Sequence, residues 1–197
     1  MNIQERVSDI MAAEAAAISG VQITQEFEDA VLALKACSGK VLTAGMGKAG
    51  YIARKFAATL CSTATPAAFV HPGEAAHGDL GLVDKSDCIV AFSTSGKTSE
   101  IIAMLQLSRY LGVEMIIGVT SHPDSQLREL SNVVLDMGVI KESCPLGLTP
   151  SASIAVMLAI SDALALTLME LKGVTKEDFG LRHHGGYLGN KARKDSV

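Results

Sequence analysis

Hydrophobic positions along the chain follow a helical period first and a strand-like pattern afterwards. Ile3, Val7, Ile10, Met11 and Ile18 recur at mostly helical spacing, and Phe27, Val31 and Leu34 do the same in the next segment. Two helices are therefore predicted to open the chain. After Gly39 come short apolar runs closed by turn residues, at Lys40 to Ala44, Ala67 to Val70, Cys88 to Phe92, Val113 to Thr120 and Asn132 to Met137. These read as five buried strands. Helix-like stretches lie between them near residues 48–62, 98–111 and 123–130, and a long final helix is predicted over roughly 150–172. Strands alternating with helices imply an α/β fold with a parallel sheet covered on both faces. The sequence shows no repeat, no low-complexity segment and no long linker, so residues 1–197 are expected to form one domain. The charged run from Lys191 to Val197 is expected to fray.

Composition narrows the function classes. With 48% hydrophobic residues, the chain can bury a sizeable core. A formal charge of −4 and the absence of a clustered basic stripe argue against a nucleic-acid binder. Cys37, Cys61, Cys88 and Cys144 form no CxxC pair and sit in apolar or helical surroundings, which suggests neither zinc nor a disulfide framework and fits reduced thiols in the cytoplasm. Glu5, Asp9 and Glu14 break any secretory signal pattern. The segment from Ile154 to Leu171 approaches the length of a membrane span, but Ser161, Asp162 and Glu170 interrupt it. A helix buried in the fold, or packed on another subunit, is expected instead, with no membrane partner. The positive mean hydropathy also leans toward an oligomer.

In doubly wound sheets, ligands bind beyond the carboxyl ends of the strands, where strand order reverses. The loop after the first strand, Gly45 to Gly50, formally satisfies GxGxxG, yet no acidic residue closes the second strand to hold a ribose, and the Walker spacing around Lys48 is not met. What remains is a glycine-rich turn that opens a helix and carries Lys48 toward a ligand, or glycines that only permit close strand-to-helix packing. The loop after the third strand, Ser93 to Glu100, places five hydroxyls and a glycine before a helix, a composition suited to phosphate. Simple N-capping would need one of those hydroxyls. In a 2-1-3-4-5 strand order these two loops are neighbours, and one small phosphorylated ligand could touch both. The loop after the second strand gathers His71, Glu74, His77 and Asp79, but two histidines six apart without a third ligand are poor evidence for a metal.

The combination of GMGKAG at 45–50, HPGEAAHGDLG at 71–81, STSGKTSE at 93–100, KESCPLGLTP at 141–150 and DFGLRHHGGYLG at 178–189 resembles the arabinose-5-phosphate isomerases, a family of the sugar isomerase (SIS) fold. The resemblance covers nearly the whole chain. It implies a flavodoxin-like, five-stranded, doubly wound sheet. It also implies interconversion of D-arabinose 5-phosphate and D-ribulose 5-phosphate for Kdo synthesis, serving lipopolysaccharide or capsule, without a cofactor or metal. A cytoplasmic homotetramer with active sites shared between subunits is implied as well. Residue by residue, Lys48 matches the family's active-site lysine, Glu100 and Glu142 its two acidic residues, and His183 its late catalytic histidine. His77 matches a further histidine lining the site, Gly47 belongs to the first glycine loop, and Ser93, Ser95 and Thr98 match the phosphate-gripping hydroxyls. Lys97 stands where the pattern leads one to expect Glu, and His184 where it leads one to expect Pro. The paired CBS domains that often follow this domain are not found in these 197 residues.

Such an isomerisation takes a proton from C2 of the open-chain aldose, passes through a cis-enediol and returns the proton at C1. Glu142 is the expected base, His183 a ring-opening or shuttling group and Lys48 the cation facing the developing oxyanion. These roles could permute among Glu100, Glu142 and His183. Rival readings are another SIS isomerase, such as a hexulose- or sedoheptulose-phosphate isomerase, a sugar-phosphate sensor, and an NAD-dependent oxidoreductase. A sensor of this fold usually carries a fused DNA-binding domain, for which about 40 residues before the first strand leave no room.

Overall fold

The computed structural model describes residues 1–194. Five strands, β1 (Val41–Gly45), β2 (Ala67–Val70), β3 (Cys88–Phe92), β4 (Met115–Thr120) and β5 (Val133–Asp136), form one sheet in the order β2-β1-β3-β4-β5. Every neighbouring pair is parallel. All five expected strands and the 2-1-3-4-5 order are present. β4 starts two residues later than its apolar run suggests, because the Val113 N–H turns back to the Ser108 carbonyl and helps close the preceding helix.

The central strands are buried on both faces, and their side chains divide between two helical layers. Val41, Cys88, Val90 and Phe92 join a cluster with Phe27, Phe56, Val156 and Leu164. Leu42, Ala44, Ile89 and Ala91 join a second with Ile101, Leu105 and Leu127. That division follows from the two-residue side-chain period of a strand. The first face is therefore covered by α2 (Gln25–Ala36), α3 (Gly47–Ser62) and α7 (Ala152–Leu171). The second is covered by α4 (Pro72–Ala75), α5 (Ser99–Tyr110) and α6 (Gln126–Leu130), with a 3-10 turn at Asp79–Leu82 beside α4.

α7 is apolar almost all round, and by length and composition it could cross a bilayer. Half of that apolar stretch is buried within the fold, and the helix packs against α2, α3 and α1 (Ile3–Ser19). Its interrupting carboxylate, Asp162, pairs with Lys55 on α3. α1 differs from every other long helix in burying none of its residues. Asn2 caps it by accepting hydrogen bonds from the Gln4 and Glu5 N–H groups, and Ile3, Val7 and Met11 lie exposed.

After α7 the chain forms α8 (Lys176–Arg182) and α9 (Gly186–Lys194), which the hydrophobic pattern did not predict. Thr175 and Asp178 build a reciprocal capping box that starts α8. The expected fraying is therefore not found over Lys191 to Lys194, which are helical, and residues 195–197 lie outside those described.

Candidate functional site

β1 and β3 lie side by side, and the chain leaves them in opposite directions. α3 departs to one face and α5 to the other. A cleft of about 410 Å³ opens at this reversal, lined by Met46, Gly47, Lys48, Ser93, Thr94, Ser95 and Thr98, with Pro150 and Ile154 closing the side toward α7.

The first glycine loop resolves into two jobs. A Cβ on Gly45 would come within 2.8 Å of the Ala49 backbone, and one on Gly50 would stand 2.6 Å from the Gly45 carbonyl oxygen. Those two glycines let α3 pack directly on β1. Gly47 has φ +57° and open space where a Cβ would point, so it shapes the turn on the cleft side and sets Lys48 in the first turn of α3.

The hydroxyl loop is a folded cradle. The buried Ser93 Oγ accepts from the Gly96 N–H at 3.1 Å and lies 3.0 Å from Thr98 Oγ1, while Ser95 Oγ accepts from the Lys97 N–H at 3.2 Å. Gly96 has φ +62°, and a Cβ there would collide with Ser125. Thr98 stands at the N-cap of α5 without capping it by its side chain. The leading N–H groups of this 12-residue helix thus face the cleft end of the sheet with the positive end of the helix dipole.

Glu142 comes from the loop after β5 and reaches the start of α7. Its Oε2 accepts from the Ser151 N–H at 2.8 Å, the Ser151 hydroxyl at 3.1 Å and the Ser153 N–H at 3.4 Å. Partial burial pushes its pKa up, but the hydrogen bonds from Ser153 and Ser151 outweigh that and hold it below the ordinary carboxylate value. Glu142 is therefore an ionised carboxylate at neutral pH, next to the wall formed by Pro150 and Ile154.

An SIS domain profile matches residues 35–167. The chain belongs to the SIS domain family. Arabinose 5-phosphate isomerase KdsD of Escherichia coli K12 is 44% identical over 192 residues, covering 96% of this chain and 58% of that protein. The SIS chain thus spans little more than half the length of the curated relatives it matches. A solved Escherichia coli CFT073 protein in complex with arabinose 5-phosphate is 41% identical with a TM-score of 0.88, and covers 93% of this chain and 100% of that one. A Bacteroides fragilis structure, whose proposed role is phosphosugar isomerisation in capsule formation, is 40% identical with a TM-score of 0.91, and covers 94% and 100%.

Of the residues singled out in this SIS sequence, the fold brings Gly47, Lys48, Ser93, Ser95 and Thr98 into one cleft, whereas Glu142 does not line it and is bonded to Ser151, the residue after the lining Pro150. Glu100 is exposed in the first turn of α5. Its own backbone N–H and the Ser99 hydroxyl lower its pKa, and His71 at the end of β2 adds to the effect. His77 lies exposed in the turn after α4, outside the cleft lining. His183 follows α8, stacks on Phe179 with ring centroids 4.1 Å apart, and faces a separate apolar hollow of about 680 Å³ lined by Lys55, Ala58, Thr59 and Thr63 of α3 and its C-cap. Lys55, the lining residue of that hollow nearest to Lys48 along α3, lies seven residues on, about 10 Å along the helix. Within one chain, His183 therefore lines a different pocket from Lys48.

Two further side chains bear on the site and carried no motif signal. Ser151 and Ser153 lie at the start of α7, and only the common occurrence of Ser at helix starts could have drawn attention to them. One expectation about cysteine also changes. Cys144 sits in neither a helix nor a strand but in the loop after β5, where its Sγ accepts from the Leu148 and Thr149 N–H groups at 3.2 and 3.1 Å.

Proposed function

We propose that this SIS chain is an aldose–ketose isomerase interconverting D-arabinose 5-phosphate and D-ribulose 5-phosphate. The observation that carries this reading is the cleft at the β1/β3 reversal. It combines an anion cradle at the start of α5 with the Lys48 cation, and the ionised Glu142 is held by Ser151 just beyond its Pro150 wall, in a chain 41% identical to one that holds arabinose 5-phosphate. The substrate phosphate sits against Ser93, Ser95, Thr98 and the α5 N-terminus. The sugar then extends toward α7, where Glu142 takes the C2 proton and returns it at C1 through a cis-enediol. Lys48 balances the charge that develops on the enediol oxygen.

His183 enters this reading from another copy of the chain, in keeping with a homotetramer whose sites are shared between subunits. Its position on the far side of α3 in its own subunit supports that arrangement. The reaction needs no redox cofactor, and the product supplies Kdo synthesis for lipopolysaccharide or capsule in the cytoplasm.

Incubating the protein with D-arabinose 5-phosphate, and in parallel with other pentose, hexose and heptose phosphates, tests the reading. Selective formation of D-ribulose 5-phosphate is expected. The Glu142→Gln variant should lose at least about 100-fold in kcat while retaining most of its substrate affinity. Conversion of a different sugar phosphate alone would replace the substrate assignment, and normal turnover by the variant would remove Glu142 from proton transfer.

A further inference from the structure

Residues 141–150 carry Glu142 on a segment with neither helix nor strand, so the position of its carboxylate depends on what grips that segment. The grip is on the next residue, Ser143, and it comes from two directions. The Ser143 carbonyl accepts a hydrogen bond from Arg6 Nη2 at 2.5 Å, across 137 positions of sequence. The Ser143 N–H donates to Ser151 Oγ at 3.3 Å, and that same hydroxyl donates to Glu142 Oε2. One hydroxyl thus accepts from the peptide after Glu142 and donates to the Glu142 carboxylate, which uses its single donor and one of its acceptor sites.

Both grips are unusual for a purely structural role. Ser151 stands at the N-cap of α7, where a serine would ordinarily satisfy the helix's own N–H groups, yet it makes no side-chain capping bond. Arg6 belongs to α1, which buries no residue, yet this half-buried side chain is ordered against one carbonyl beside the carboxylate. Ordering a side chain as long as arginine has an entropic cost that the exposed surface elsewhere on α1 does not demand.

We propose that Arg6 and Ser151 are positioning residues that clamp the Ser143 peptide from either side and so hold the Glu142 carboxylate at the cleft for proton transfer. The proposal rests on Glu142 being the acid–base group of the isomerase reading. It makes the amino-terminal helix a working part of a site whose other components all lie beyond residue 46.

The groups that hold Glu142 directly are neutral: the Ser151 hydroxyl and the Ser151 and Ser153 N–H groups. The nearby cations are Lys141 in the same loop and Arg6, which acts through the Ser143 carbonyl. Removing the Ser151 hydroxyl deletes a bond to the ionised form, so the carboxylate's pKa rises toward its ordinary value. The acid limb of kcat/KM must then move to higher pH, because the base has to be ionised in order to act.

The experiment compares wild type, Arg6→Ala, Arg6→Lys, Ser151→Ala, Ser151→Thr and Glu142→Gln. Each is assayed with D-arabinose 5-phosphate from below the ordinary carboxylate range up to mildly alkaline pH and checked by thermal unfolding. Arg6→Ala is expected to lower kcat about 10- to 100-fold with KM little changed and the melting temperature kept. Arg6→Lys should recover part of the loss. Ser151→Ala should lower kcat and shift the acid limb upward, and Ser151→Thr should restore both. If Ser151→Ala does not fold, Arg6→Ala and Ser151→Thr still decide the matter. Wild-type kcat in Arg6→Ala with an unmoved acid limb in the Ser151 variants, alongside an impaired Glu142→Gln, overturns the clamp alone. Wild-type turnover in Glu142→Gln overturns both the clamp and the reading it rests on.

Discussion

Hydroxyl density marked the loop from Ser93 to Ser99 as an anion site, but it could not say which hydroxyls are free to act. In the structure the Ser93 and Thr98 hydroxyls bond each other, which leaves one of the two protons free to donate elsewhere, while the Ser99 hydroxyl donates to Glu100. The histidines were the most conspicuous residues in the sequence, and the fold places His77 and His183 away from the cleft of their own chain. A histidine's type reveals its chemistry and says nothing of which end of a helix it meets. Cys144 makes the same point in reverse. It looked inert, yet hydrogen bonds from Thr149 and Leu148 to its sulfur lower its pKa to about 7, while burial pushes Cys88 up to about 12. At neutral pH Cys144 is therefore partly thiolate and Cys88 wholly protonated. Brief treatment with iodoacetamide at pH near 7, read by peptide mass spectrometry, should label Cys144 well before Cys88. Equal labelling would show that the loop does not present the sulfur in this way.

At the level of elements, the strands were legible almost to the residue, because central parallel strands are apolar on both faces and end in turn residues. The last two helices were not. α8 is short, starts from a capping box and buries only Gly180, and α9 is a short helix that is polar on average, so neither offers enough apolar residues to be read as a helix. GxGxxG was legible as a strand-to-helix turn but ambiguous in purpose. Contact geometry separates the roles, giving Gly45 and Gly50 to packing and Gly47 to the turn at the cleft. Gly50→Ala should therefore destabilise the protein by about 1–3 kcal/mol, because its new methyl meets a carbonyl oxygen that belongs to β1 and has little room to give. Chemical denaturation with and without the substitution measures this. A variant as stable as the wild type would mean that α3 can slide on β1.

At the scale of the whole molecule, apolar side chains remain uncovered on the helical layers. Ile3, Val7 and Met11 on α1 and Leu166 and Leu171 on α7 stand exposed, and the hollow beside His183 is mostly apolar. Apolar surface of this extent fits a partner of the same kind. If one cleft takes Lys48 and His183 from different chains, co-refolding inactive Lys48→Ala with inactive His183→Ala should recover activity that neither has alone, through sites that inherit both wild-type residues. No recovery from well-folded mixed assemblies would confine each site to one chain. Periodicity and spacing do not reach such an arrangement, which only the family resemblance implied, since sequence order does not record which surface another copy would meet. One last consequence concerns the opening between β1 and β3. It arises because two connections wind to opposite faces, so no side chain had to be sacrificed to create it. Residues 46–49, 93–95, Thr98, Pro150 and Ile154 furnish that space, and Phe92 at the end of β3 is the strand residue that joins them. Specificity and stability are thus written on largely different residues, and the loops are free to diverge toward new sugars while the sheet keeps its register.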